Sequence, residues 1–246
     1  IRFSIKELKM LCDNESGQCL IPSAAEVNSP ALCEKESGAT TIHYIGDPMC
    51  SWCWGLSNSV RALEAFAREN GYRFVLTNGG LRAGGGDPWN AAFKQFLRQE
   101  WEHISHVTGQ PISCLLLESE YFNYDTEPAC RAVVSAAMIN PDVKLTFFRA
   151  VQKKFYTESA DPKDISFYEN ICAETGINFA EFADVFNSHL SLLETQAEFK
   201  LTRQFGVNAF PSILVEKSGV LQKALSGYVN EKDIITKVLE AENRIK

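Results

Sequence analysis

Residues 40–55 read Thr-Thr-Ile-His-Tyr-Ile-Gly-Asp-Pro-Met-Cys-Ser-Trp-Cys-Trp-Gly, and this stretch decides the fold. Residues 40–45 form a short β-branched and aromatic run, which predicts a strand. Gly46-Asp47-Pro48 supplies the turn chemistry that ends it. Beyond the cysteines, Leu56, Val60, Leu63, Phe66 and Ala67 recur at helical spacing, and Gly71 closes the segment as a residue just past a helix does. A Cys-x-x-Cys pair therefore sits where a strand hands over to a helix.

That position suits thiol–disulfide exchange, which proceeds by attack of a thiolate. Cys50 at a helix N-terminus meets unsatisfied backbone N–H groups and the positive end of the helix dipole, and both favour the anion. Cys50 is thus expected to attack. Cys53, one turn on, is placed to resolve the mixed disulfide. Ser51 and Trp52 add no positive charge, so stabilisation of the thiolate falls mainly to the helix terminus. The competing reading is half of a structural zinc site, which normally needs four ligands. No second close Cys or His pair accompanies the motif: six residues separate Cys12 from Cys19, and His103 with His106 falls in a helical stretch. The strand-to-helix context favours redox chemistry, and no metal or cofactor is expected.

Outward from the motif, Tyr72–Thr77 reads as a second strand, followed by Asn78-Gly79-Gly80 and the loop Gly84-Gly85-Gly86-Asp87. The glycine run lacks the Lys and Ser/Thr of a phosphate loop and reads as a flexible loop. The next hundred or so residues carry helical stripes, with Asp87-Pro88, Asn140-Pro141 and Asp161-Pro162 as predicted starts. A long helix from about Ser191 carries Leu193, Ala197, Leu201 and Phe205 and ends at Gly206. Residues 212–215 and 220–226 read as strands, and Asn230 caps a final helix bearing Ile234, Ile235, Val238 and Leu239. Residues 1–38 are polar, broken by Gly17, Pro22, Pro30 and Gly38, and read as an irregular arm. The order is β-α-β, helices, α-β-β-α. It predicts an α/β domain from 39–84 and 191–246, an all-helical insertion at 85–190, and an N-terminal extension at 1–38.

At 45% hydrophobic residues the chain can bury a full core, which argues against disorder. A net charge of −7 supplies no basic field for nucleic acid. The longest apolar runs, near Cys114–Leu117 and Ala132–Ile139, fall far short of the roughly 18 residues a membrane helix requires. The N-terminal Ile-Arg-Phe-Ser-Ile-Lys lacks the apolar centre and cleavage site of a signal peptide. The expected compartment is the cytoplasm, or the periplasm should a leader have been removed.

Eight cysteines are too dilute for a disulfide-stapled miniature fold. Cys114, Cys130 and Cys172 lie in apolar-periodic stretches and read as buried core. Cys12 and Cys19 either close a small loop and serve as an auxiliary redox couple, or are incidental thiols of a disordered arm. His43, Tyr44 and Asp47 are read as packing or turn residues as readily as proton shuttles.

The Cys-Ser-Trp-Cys-Trp sequence after a strand, the helical stretch and Gly206-Val207-Asn208-Ala209-Phe210-Pro211 before a later strand together resemble the DsbA-like thioredoxin superfamily, over about residues 40–245. Within it the FrnE-like group of protein disulfide isomerases is most similar. The resemblance implies a thioredoxin fold with a large helical insertion. It also implies that Pro211 follows a cis peptide bond facing the cysteines, and that the backbone of Phe210 binds an extended substrate segment. An X–Pro bond is the accessible route to a cis peptide, and a strand start avoids removing a central ladder donor. Phe210 is bulkier than the residue common before this Pro, and Tyr44 stands where many relatives keep a buried acid. If the fold holds, Trp52, Trp54, Phe210, Trp89 and Leu81 form an apolar rim around Cys50, although core packing is the default for Trp89 and Leu81.

The leading expectation is a thiol–disulfide oxidoreductase or isomerase acting on cysteine-containing proteins, with glutathione as a further partner and with no nucleic acid or membrane partner. The alternatives are a glutathione-binding transferase or isomerase of the same fold, against which a retained Cys53 argues, and a non-catalytic binding module.

Overall fold

The structure is a computed structural model that describes residues 12–13, 15–20 and 39–245. The rest of the expected 1–38 extension, Cys33 included, lies outside the described residues.

The strand at the cysteines is β3 (Thr41–Gly46), buried on both faces along nearly its whole length. The helix after it is α1 (Ser51–Gly55) and α2 (Ser57–Glu69), bent at Leu56. The helical ladder runs through the bend, because Leu56 N donates to Trp52 O and Val60 N to Leu56 O, each at 2.9 Å. Strand β4 (Arg73–Asn78) then returns parallel to β3, completing a β-α-β unit.

Six helices follow: α3 (Ala91–Thr108), α4 (Glu127–Ile139), α5 (Lys144–Glu158), α6 (Glu169–Thr175), α7 (Phe179–Phe186) and α8 (His189–Gln204). Their starts fall slightly later than the Asx-Pro signals predict. Asn90 caps α3, since Asp87 is taken by Arg82. Asn140 and Asp164 cap short 3₁₀ turns that lead into α5 and α6. A 3₁₀ turn cannot run long before its eclipsed side chains force the wider helix.

α8 differs from expectation in its buried face. Ser191, Thr195, Phe199 and Thr202 point inward, whereas Leu193 is 47% exposed. Polar contacts set this rotation: Thr202 Oγ1 donates to Asn78 O at 3.1 Å, and Glu198 accepts from Asn78 N and Nδ2 and pairs with Lys144. Phe199 also lies over Gly80, where an added Cβ would come within 2.8 Å of its ring.

The chain closes with β5 (Ala209–Phe210), β6 (Ser212–Lys217), β7 (Val220–Ser226) and α9 (Glu231–Asn243). Asn230 caps α9, accepting from Lys232 N and Asp233 N. The main sheet has the order β4-β3-β6-β7, with β6 antiparallel to both neighbours. Its core joins Ile42, Tyr44, Ile213 and Val215 of the sheet to Leu56, Val60 and Leu63 of the first helix and to the aromatic residues of the helical segment.

The expected arm holds ordered strands. β1 (Cys12–Asp13) and β2 (Gln18–Leu20) form a hairpin whose β2 pairs antiparallel with β5. Two- and three-residue strands are too short to show a hydrophobic period, so nothing in the sequence pattern marks them.

Candidate active site

Cys50 is the N-cap residue of α1, with extended backbone (φ −82°, ψ 117°) and no side-chain capping bond. Its N–H donates to Asp47 O at 3.1 Å, and its carbonyl accepts from Trp54 N at 3.0 Å. The sulfur therefore stands at the open end of the helix, where the first N–H groups lack intrahelical partners. Cys53 lies one turn inward. Both are 0% exposed.

The Phe210–Pro211 peptide bond is cis, and Cys50 Sγ lies 3.9 Å from the Phe210 carbonyl oxygen. The chain thus brings the 50–53 motif and the 210–211 pair face to face across 160 residues of sequence. Phe210 is large for its position, and its ring enters space left by Gly79.

Of the aromatic rim read from the sequence, Trp52, Phe210 and Leu81 gather with Cys50, Cys53 and Cys19 in one apolar cluster. Trp54 and Trp89 belong to the main core instead. Trp54 stacks on Tyr156 and donates to Pro111 O at 3.0 Å; Trp89 donates to Ser119 O and meets Phe93 and Phe122. Trp52 is only 1% exposed, flanked by His103 and Tyr228.

The polar surroundings are mostly buried. The Tyr44 hydroxyl neighbours Cys53, and burial, reinforced by negative charge on Cys53 or Cys50, pushes its ionisation well above the ordinary range. It stays a neutral donor. Asp47, more than a turn residue, is a fully buried carboxylate that accepts from Met49 N (2.9 Å), Leu81 N (2.7 Å) and Cys130 Sγ (3.5 Å). Burial raises its pKa, opposed by these hydrogen bonds. His43 bonds Glu216 at 3.0 Å and meets the ring of Phe205, and burial lowers its pKa, opposed by Glu216. Cys130 and Cys172 are buried, Cys114 partly so, and desolvation raises the pKa of all three.

Sequence reasoning missed Tyr124 and Tyr156. Their hydroxyls donate to the carbonyl of Met49, the residue before Cys50, at 2.8 and 2.6 Å. They lie 75 and 107 residues downstream on the helical segment, so no local signal could have found them.

No protein-family model and no curated protein matches the sequence. Solved structures do. A candidate protein disulfide isomerase from Nitrosomonas europaea is 28% identical, with a TM-score of 0.73 over 85% of this chain and 100% of that one. The cytosolic disulfide reductase DsbM from Pseudomonas aeruginosa is 22% identical, with a TM-score of 0.64 over 84% and 100%. A structure of DsbM with GSH gives 0.63 over 83% and 100% at the same identity. A cysteine pair at a helix start, facing a cis proline on a mixed sheet with helices inserted, defines a thioredoxin-fold protein of the thiol–disulfide exchange class. The chain has the fold of the DsbA-like thioredoxin superfamily.

Proposed function

We propose that this protein exchanges disulfides with cysteine-containing proteins through Cys50-Ser51-Trp52-Cys53. Cys50 attacks a substrate disulfide, forming a mixed disulfide and expelling the other substrate sulfur as thiolate. Cys53 then attacks Cys50, and the Cys50–Cys53 disulfide forms as the substrate leaves reduced; the reverse sequence oxidises a substrate dithiol. The observation that carries this reading is the approach of Cys50 Sγ to the Phe210 carbonyl beside the cis bond. That edge offers main-chain groups to an extended segment lying next to the nucleophile. Trp52, Phe210 and Pro211, all buried, would line this groove once the edge is open to a substrate.

Glutathione is the proposed small-molecule partner, and the cytoplasm the proposed compartment, on the likeness to a DsbM fold solved with GSH and named a cytosolic reductase. The same likeness favours one second reading, an enzyme that uses glutathione as a bound substrate. The two separate in Cys53→Ala. Under exchange with proteins this variant accumulates mixed disulfides and stops turning over, whereas a glutathione-dependent isomerase or transferase keeps its rate. Cys50→Ala should abolish reduction of a protein disulfide, and full activity in that variant would overturn the reading.

A further inference from the structure

A nucleophile must be reached, yet Cys50 is 0% exposed. Part of its cover is the β1–β2 hairpin. β2 lies antiparallel to β5 with Cys19 opposite Phe210 and Leu20 opposite Ala209, so it takes the main-chain edge beside Pro211 that an extended substrate would use. Cys19 is 1% exposed and shares the apolar cluster of Cys50, Cys53, Trp52 and Phe210. Burial first, and then negative charge on Cys50 and on Cys19, disfavours ionisation of the same two hydroxyls, Tyr124 and Tyr156.

The hairpin is docked on its turn side as well. Tyr228 N donates to Ser16 O at 3.3 Å, and Ser226 Oγ bonds Gln18 Oε1 at 2.9 Å. At Gly17 (φ +64°) an added Cβ would stand 2.6 Å from Tyr228 Cβ and 3.2 Å from the Trp52 ring. Across the hairpin, the Cα of Cys12 is the register partner of that of Cys19. Residues directly opposite in an antiparallel pair have Cα atoms about 4.5–5.5 Å apart, within the roughly 4.4–6.8 Å span of a disulfide.

We propose that the Cys12–Leu20 hairpin is a built-in exchange partner, seated in the substrate groove and presenting Cys19 to Cys50, with Cys12 and Cys19 forming an internal redox couple. The proposal rests on Cys50 being the nucleophile. The Cys50 thiolate attacks the Cys19 sulfur of a Cys12–Cys19 disulfide; the Cys50–Cys19 bond forms and Cys12 leaves as thiolate. Cys53 then attacks Cys50, forming Cys50–Cys53 and releasing Cys19 as thiolate. Two electrons pass from the active-site dithiol to the hairpin, and the two protons released by Cys50 and Cys53 are matched by those taken up at Cys12 and Cys19. The reverse reaction reloads the active site. An external protein or glutathione thiol or disulfide then exchanges with whichever pair is exposed. Because the hairpin is tethered, it competes at an effective concentration on the order of millimolar, so an external protein must displace it.

The test uses the full chain carrying Cys12→Ser and Cys53→Ser, so that neither neighbouring thiol can resolve a Cys19–Cys50 bond, equilibrated with glutathione disulfide, with the disulfides mapped by proteolysis and mass. Cys50 first takes up glutathione, and Cys19 then displaces it, so one glutathione disulfide yields one Cys19–Cys50 bond and two reduced glutathiones. The expected result is a monomeric Cys19–Cys50 cross-link whose yield does not change with protein concentration. A Cys50–glutathione adduct without that cross-link overturns the internal couple and leaves Cys50 as the nucleophile, whereas an unmodified Cys50 overturns both readings. Gly17→Val, which keeps every cysteine, is the second arm. Undocking the hairpin should speed alkylation of Cys50 by a bulky maleimide about tenfold or more, equivalent to about 1.4 kcal/mol of lost docking. An unchanged rate would mean that the hairpin does not close the site.

Discussion

The ring of Phe210 ends against the backbone of Gly79, so closely that a Cβ at residue 79 would stand 1.9 Å from the ring tip. This contact is why a large residue can precede Pro211. Gly79 N also donates to Gly46 O at 2.7 Å, which ties the same spot to the end of β3.

Gly79→Ala should therefore overpack the site. The expected cost is about 1–3 kcal/mol, or a fall in melting temperature of roughly 2–4 °C per kcal/mol for a chain of this size. A thermal melt checks it. A variant as stable as the wild type would mean that Phe210 has another place to go.

Tyr44→Phe separates stability from chemistry. The hydroxyl is buried with no other polar partner, so its removal should change unfolding free energy by less than about 1 kcal/mol. It is nevertheless placed to donate to a Cys53 thiolate, the species that resolves the mixed disulfide. Loss of a hydrogen bond to a charged group predicts slowing of that step on the order of tenfold. Stopped-flow decay of a Cys50 mixed disulfide measures it; an unaltered rate would place Tyr44 in the core alone.

The Met49 carbonyl accepts from two tyrosines, which predicts non-additive mutants. Tyr124→Phe or Tyr156→Phe alone leaves one donor. The double variant strands a buried acceptor and should cost about 1–3 kcal/mol beyond the sum of the singles. Urea midpoints for the four proteins of the cycle decide this.

Asp47→Asn should destabilise, because its two oxygens serve the separate N–H groups of Met49 and Leu81. An amide nitrogen would face one of those donors, at a cost of about 1–3 kcal/mol. The pH dependence follows from the raised folded pKa. Above the unfolded value near 3.8 the unfolded chain releases its proton first while the folded protein retains it, so stability falls as pH rises. This contribution is fully present below the unfolded pKa and is lost through the raised folded one. The unfolding free energy of wild type minus Asn should shrink over that interval in denaturant titrations. A difference constant with pH would show that Asp47 titrates normally.

Much of the α/β unit was legible. The strand expected at 40–45 is observed at 41–46, that at 72–77 at 73–78, and that at 220–226 matches outright. Asn230 caps its helix as read. The inner face of α8 was not legible, because Thr202 and Glu198 choose it by bonding to Asn78 on a distant strand. Trp54 and Trp89 read as site residues on sequence nearness and fold analogy, yet each indole N–H bonds a partly buried main-chain carbonyl of the helical segment, Pro111 O and Ser119 O. Asp47 looked like a turn residue because only its Met49 donor is local, whereas Leu81 N and Cys130 Sγ reach it from 34 and 83 residues away.

By itself, then, the sequence determined the features set within a few residues of one another. These are the strand, the turn at Asp47-Pro48, the paired cysteines at a helix start and the periodic helices after them, since side-chain period and capping chemistry are local properties of the chain. Tertiary structure alone decided what surrounds the sulfurs. It set the Phe210 carbonyl against Cys50, the two tyrosines on Met49, and Cys19 across from Phe210, 191 positions away. Main-chain pairing of strands two or three residues long leaves no pattern in the amino acids. In the folded protein the turn at Gly17 lies close against Trp52 and Tyr228.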